Sequence, residues 1–149
     1  MADEEKPERI DDVAYYNQIR SRLEHEDGLI VNRLSWLMAS QSFLFTAYAI
    51  VLNGLATPSG GAIVERQHGL IRLLPLVGIL STGLIYAGLL AAIQAMGWLL
   101  GQFRERIPDE AVLGLPPIHT LGRIRVRGLA APALLPVVFL IVWIYLLVG

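Results

Sequence analysis

The sequence predicts an all-α membrane protein: three transmembrane helices, with a long N-terminal helix projecting into the cytoplasm. Three observations carry this. The chain is 54% hydrophobic and only 17% charged. Its apolar residues gather in three blocks, 34–55, 73–101 and 129–148, which leaves too few elsewhere for a separate soluble core. The first block has no charge over twenty-two residues, and as a helix it would be about 33 Å long, enough for a hydrocarbon core of about 30 Å. The chain thus divides into a cytoplasmic tail and amphipathic helix, 1–33, and a transmembrane helical domain, 34–149.

Residues 1–9 are charged, contain Pro7 and show no period, the pattern of a mobile tail. The polar start is unlike the short basic opening of a cleaved signal peptide, so the chain is expected to stay whole. From Ile10 to Arg33, Val13, Tyr16, Ile19, Leu23 and Ile30 recur near helical spacing among polar residues. No proline separates them from the first span, so one helix should run through both, with Gly28 as the place for a bend. Its apolar stripe needs cover from this chain or from a second copy.

The first connection opens with the turn signal ATPSGG and continues with Ile63, Val64, Leu70 and Ile71 among charges, which predicts a short surface-lying helix. The second span holds Pro75 near its start and, at twenty-nine residues, must tilt or extend past the bilayer. The second connection, 102–128, is broken by Pro108, Pro116 and Pro117 and ends in the basic run RIRVR. The third span should bend at Pro132 and Pro136. Lys and Arg number five before the first span, two in the first connection, five in the second and none at the C-terminus. The positive-inside rule then puts the N-terminus and the second connection in the cytoplasm and the C-terminus outside. Trp36 and Trp98 would mark the inner interface; Tyr48, Trp143 and Tyr145 would mark the outer one.

Two faces stand out. Ser35, Ala39, Ser42, Thr46, Ala49 and Asn53 follow at steps of four and three, so they share one narrow side of the first span. Such a face suits the wall of a water-filled pore built by several copies. The plainer reading, and the favoured one for the face by itself, is a packing seam, because small residues let backbones close up and Ser, Thr and Asn bond across helices. Upstream, Asn32, Gly28, His25, Ser21 and Gln18 continue the spacing. On the second span, Gly83, Ala87, Ala91, Gln94, Gly97 and Gly101 form a small-residue face ending in GxxxG, against which the first helix is expected to pack. Gln41 and Gln94 are the most polar groups deep in their spans, placed to hydrogen-bond to each other or between copies.

Other groups are weaker signals. Glu24-His25-Glu26-Asp27 fits an acidic pore mouth or a pH sensor, but consecutive residues on a helix point different ways, which favours a solvated turn. Arg123, Arg125 and Arg127 alternate, so in an extended strand they would point together toward lipid head groups. No Asp, Glu, His, Cys, Lys or Arg lies inside any span, so no catalytic residue, metal site or cofactor is expected. His68 and His119 fall on opposite sides of the membrane, and Asp109 and Glu110 simply follow Pro108 at a helix start. A net charge of −1 argues against a nucleic-acid partner.

The segment RSRLEHEDGLIVNRLSWLMASQSFLFTAYAIVLNG is similar to the front of small bacterial multi-pass membrane proteins to which no function is assigned. It covers about a quarter of the chain. The resemblance implies a bacterial inner membrane and carries no site residues. Two functions fit these readings: a self-associating helical assembly that forms a pore or channel, or a non-catalytic accessory subunit whose N-terminal helix docks a protein partner through Tyr16, Ile19 and Leu23.

Overall fold

The structure is a computed structural model in which residues 11–56, 60–107, 114, 116–118 and 122–149 are described, with the backbone alone for 122–127. It is built from α1 (Asp12–Leu55), α2 (Gly61–Arg106) and α3 (Gly122–Val148), and the described residues contain no strand. All three are long and apolar enough to cross a membrane, so this is a multi-pass membrane protein. The segment 1–10, the turn residues Thr57–Ser59, Asp109, Glu110, His119 and the side chains of Arg123, Arg125 and Arg127 lie outside the described residues.

α1 is one unbroken helix of 44 residues, about 66 Å long. Gly28 causes no break, because the stripe on either side of it packs against the same neighbour. The expected surface helix after the first turn is instead the start of α2, whose 46 residues run from Gly61. Between Gly61 and Pro75 only Gly69 opposes helix, and one glycine costs about 1 kcal/mol, too little to separate two elements. α3 likewise begins at Gly122 and takes the RIRVR run into its first turns, so the extended arrangement expected of Arg123, Arg125 and Arg127 does not hold. On a helix, positions two apart do not share a side. Pro75, Pro132 and Pro136 all sit inside unbroken helices, and Pro75 and Pro136 are fully buried.

α1 and α2 form an antiparallel hairpin whose register is fixed along its whole length. Asp12 meets Arg106 and Tyr15 stacks on Phe103 at the open end. Arg33 meets Gly88 and Gln41 meets Ser81 in the middle, and Gly54 abuts Gln67 near the turn. α3 runs parallel to α1, with Leu129 against the core of the open-end half and Trp143 beside Gln41, Phe45 and Tyr48. The charge-free run 34–54 of α1 therefore lies opposite 67–87 of α2. The uncharged half 88–103 of α2 lies along the charged half 15–33 of α1.

The two halves are built in opposite senses. In the open-end half the apolar residues face inward: Tyr16, Ile19, Leu23 and Ile30 of α1 pack with Leu89, Ala92, Met96, Leu99, Leu100 and Phe103 of α2, closed off by Ile107. Each such burial in water stabilises by about 1.5–3 kcal/mol. Arg106 lies 4.2 Å over the Tyr15 ring, and the Tyr16 hydroxyl donates to the Pro116 carbonyl at 2.7 Å, which pins the second connection to α1. In the turn-end half the large apolar residues face outward, among them Phe43, Ile50, Leu80, Leu84, Val138 and Ile144. Among the described residues of the open-end half, only Val13, Val31, Leu90 and Trp98 do so. On α1 the outer surface turns from polar to apolar at Arg33, while the exposed side of α2 stays uncharged from Leu73 to Phe103.

α1 does not pack on the small face of α2. Gly83 is half-buried, while Ala87, Ala91, Gln94, Gly97 and Gly101 are exposed, and the buried side of α2 is the bulky one carrying Leu89, Met96 and Leu100. The reason is the charged half of α1: its apolar stripe gains far more by burying bulky side chains than by approaching a row of glycines and alanines.

Candidate functional site

Ser35, Ala39, Ser42, Thr46, Ala49 and Asn53 are all exposed along one outer side of α1. Their spacing puts them there: Leu37 and Gln41, on another side of the same helix, are wholly buried against α2 and α3. The hydroxyls do not wait for partners. Ser35 donates to the Val31 carbonyl at 3.0 Å, Ser42 to Met38 at 2.8 Å and Thr46 to Ser42 at 2.8 Å. Each proton is returned to the helix one turn back. The oxygen lone pairs are left directed away from it, so the face offers acceptors, no spare hydroxyl donors and no fixed charge.

A polar node joins the three helices behind that face. Gln41 has no exposed surface; its amide N–H donates to the Ser81 hydroxyl at 3.3 Å, and its carbonyl accepts the indole N–H of Trp143 at 2.5 Å. The Trp143 ring is itself wholly buried, stacked on Phe45 with centroids 4.3 Å apart and edge-on to Tyr48. Gly78 makes room for it, because a Cβ there would fall inside contact distance of the indole. Thr82, next to Ser81, is fully buried, and its hydroxyl has no partner among the described residues. Gln41 therefore bonds to Ser81 and Trp143 rather than to Gln94, which lies exposed on the other side of α2.

In the open-end half a groove of about 560 Å³ separates the outer edges of α1 and α2, lined by Ser21, Arg22, His25 and Glu26 from α1 and by Ala95, Trp98 and Leu99 from α2. His25 and Glu26 thus share a site, whereas Glu24 turns aside to pair with Arg20 at 3.0 Å and Asp27 lines a smaller pocket beside Pro116. The Glu24 hydrogen bond, aided by its charge, raises the Arg20 pKa above its ordinary value.

The six residues that the spacing groups on α1 are all exposed; the node is not anticipated by the sequence reading. Gly78, Ser81 and Thr82 sit in an uncharged run where the small-residue pattern of Gly83 to Gly101 draws the eye. Trp143, expected at an interface, is interior. Trp98 borders Arg22 and His25, which places it roughly 20 Å along α1 from Trp36, so these two do not share one interfacial belt. The signal that was present is Gln41, the one long polar side chain within the first uncharged run. Compared with known protein families, curated proteins and solved structures, the chain matches none.

Proposed function

We propose that the protein is a non-catalytic, self-associating helical assembly of a bacterial inner membrane, in which the outer face of α1 lines a water-filled path between copies. The observation that carries this is that two small-residue faces, Ser35 to Asn53 on α1 and Ala87 to Gly101 on α2, are exposed and lie outside the core that joins α1 and α2 among the described residues. Close helix approach is what such faces permit, and a second copy is the partner always present. The outward lone pairs of Ser35, Ser42 and Thr46 favour a cation over an anion, since they replace hydration oxygens without a fixed charge. The distribution of Lys and Arg supports a cytoplasmic N-terminus and second connection and an outside C-terminus.

The test has two steps. Native mass spectrometry after gentle extraction should give a closed assembly of several copies. Thr46→Leu should then lower ion conductance while the assembly mass stays the same. A monomer in every mild detergent, or unchanged conductance in a correctly assembled Thr46→Leu protein, removes the pore.

A second reading is an accessory subunit that docks a protein at its open end. The observation in its favour is the groove holding the exposed Trp98 beside Arg22, His25 and Glu26. Tyr16, Ile19 and Leu23 are covered by α2, so docking would use the groove instead. Trp98→Ala should then abolish co-purification of a partner and leave the assembly mass unchanged.

A further inference from the structure

Arg33 is the last charge before the uncharged run of α1, and its side chain is half-buried between α1 and α2. One guanidinium nitrogen, Nη1, donates to the Gly88 carbonyl at 2.6 Å. That carbonyl is neutral, and no carboxylate lies within ion-pair distance of Arg33 among the described residues. The sequence explains why. The positions one turn away on α1 are Leu29, Ile30, Trp36 and Leu37; α2 carries no charge from Leu73 to Phe103, and α3 carries none from Gly128 onward. An Arg held where α1 passes from polar to apolar, with no counter-charge among the described residues, is costly unless the surroundings provide one.

The position says what provides it. Arg33 stands where the outer surface of α1 changes from polar to apolar, and the exposed Trp36 is one turn into the apolar side. Those are the depths of lipid head groups and of interfacial indoles. With Nη1 turned to Gly88, the remaining guanidinium N–H groups suit the planar fork that grips two oxygens of a phosphate. We propose that Arg33 binds the phosphodiester of an anionic membrane lipid, with Trp36 lying along the upper part of its acyl chains. This site is separate from the outer face of α1 and does not depend on a pore.

The test uses the full-length chain in mild detergent and native mass spectrometry. Dioleoyl phosphatidylglycerol and dioleoylglycerol, equal in chains and different in phosphate, are added at the same concentration. Retained phosphatidylglycerol should exceed dioleoylglycerol in the wild type. Arg33→Gln should lower its retention about tenfold, and Arg33→Lys, which keeps the charge without the fork, should fall between. Arg104→Gln, an exposed position at the open end of α2, should leave it unchanged. Equal retention of the two lipids by the wild type would overturn the site without reference to any variant. So would equal loss in Arg104→Gln, which means diffuse attraction, or displacement of phosphatidylglycerol by millimolar inorganic phosphate, which means a free-anion site.

Discussion

Trp143 and Gln41, 102 positions apart, meet where all three helices touch, the indole N–H donating to a glutamine carbonyl sealed from the surroundings. In a bilayer, apolar surface gives helices no reason to choose one another over lipid, so this bond and the Ser81 bond do the choosing. Gln41→Leu should cost about 1–3 kcal/mol, from about 0.6 to 1.7 for each of the two interhelical bonds lost. A double-mutant cycle with Trp143→Phe, which keeps the stack on Phe45, should return a coupling of the same order. Additive effects in thermal unfolding would mean that the bond contributes nothing.

Glycines on α2 should divide sharply by position. Gly78→Ala drives a methyl group into a buried indole that Phe45 and Tyr48 hold in place, so a loss of about 1–3 kcal/mol, or misfolding, is expected. Gly83→Ala meets nothing within 4 Å in the chain and should unfold at the wild-type temperature or slightly above it. Equal melting temperatures for both variants would contradict the packing at Trp143.

The hydroxyl of Thr82 is buried without a partner among the described residues, and such a group costs about 1–3 kcal/mol. Thr82→Val keeps the shape and removes that cost, so the variant should be neutral or more stable in the same unfolding measurement. A clear loss would reveal that the hydroxyl is bonded in the membrane.

Leu23→Ala removes a side chain from the centre of the open-end core, 4% exposed, and should cost about 2–5 kcal/mol. Hydrogen exchange should report the change first at Leu99 to Phe103, with the turn-end half less affected. Uniform loosening of all three helices would mean that the halves do not differ in how they are held.

Much of the fold is legible because the chain writes it in runs: three uncharged blocks, and an unbroken helical period from Val13 to Ile30 leading into the first. The register of the hairpin is not legible, since it depends on which side of α2 the stripe prefers. The small-residue pattern of Gly83 to Gly101 argues for the wrong side, while Leu89, Met96 and Leu100, which carry the energy, look like ordinary span residues. The outer face of α1 is readable from spacing alone. The node behind it is not, because Gln41, Ser81 and Trp143 belong to three separate blocks and only the register brings them together.

The open-end core also sets an order on synthesis. Tyr16, Ile19 and Leu23 leave the ribosome long before their partner Phe103, and the bond from Tyr16 to Pro116 joins residues one hundred positions apart. With about 80 residues separating Leu23 from Phe103, and roughly 5–20 residues made each second, the stripe waits about 4–16 s for its cover. During that interval the nascent chain presents an amphipathic helix with nothing of its own to close on, and its completion depends on the chain having crossed the bilayer through α1 and returned through α2.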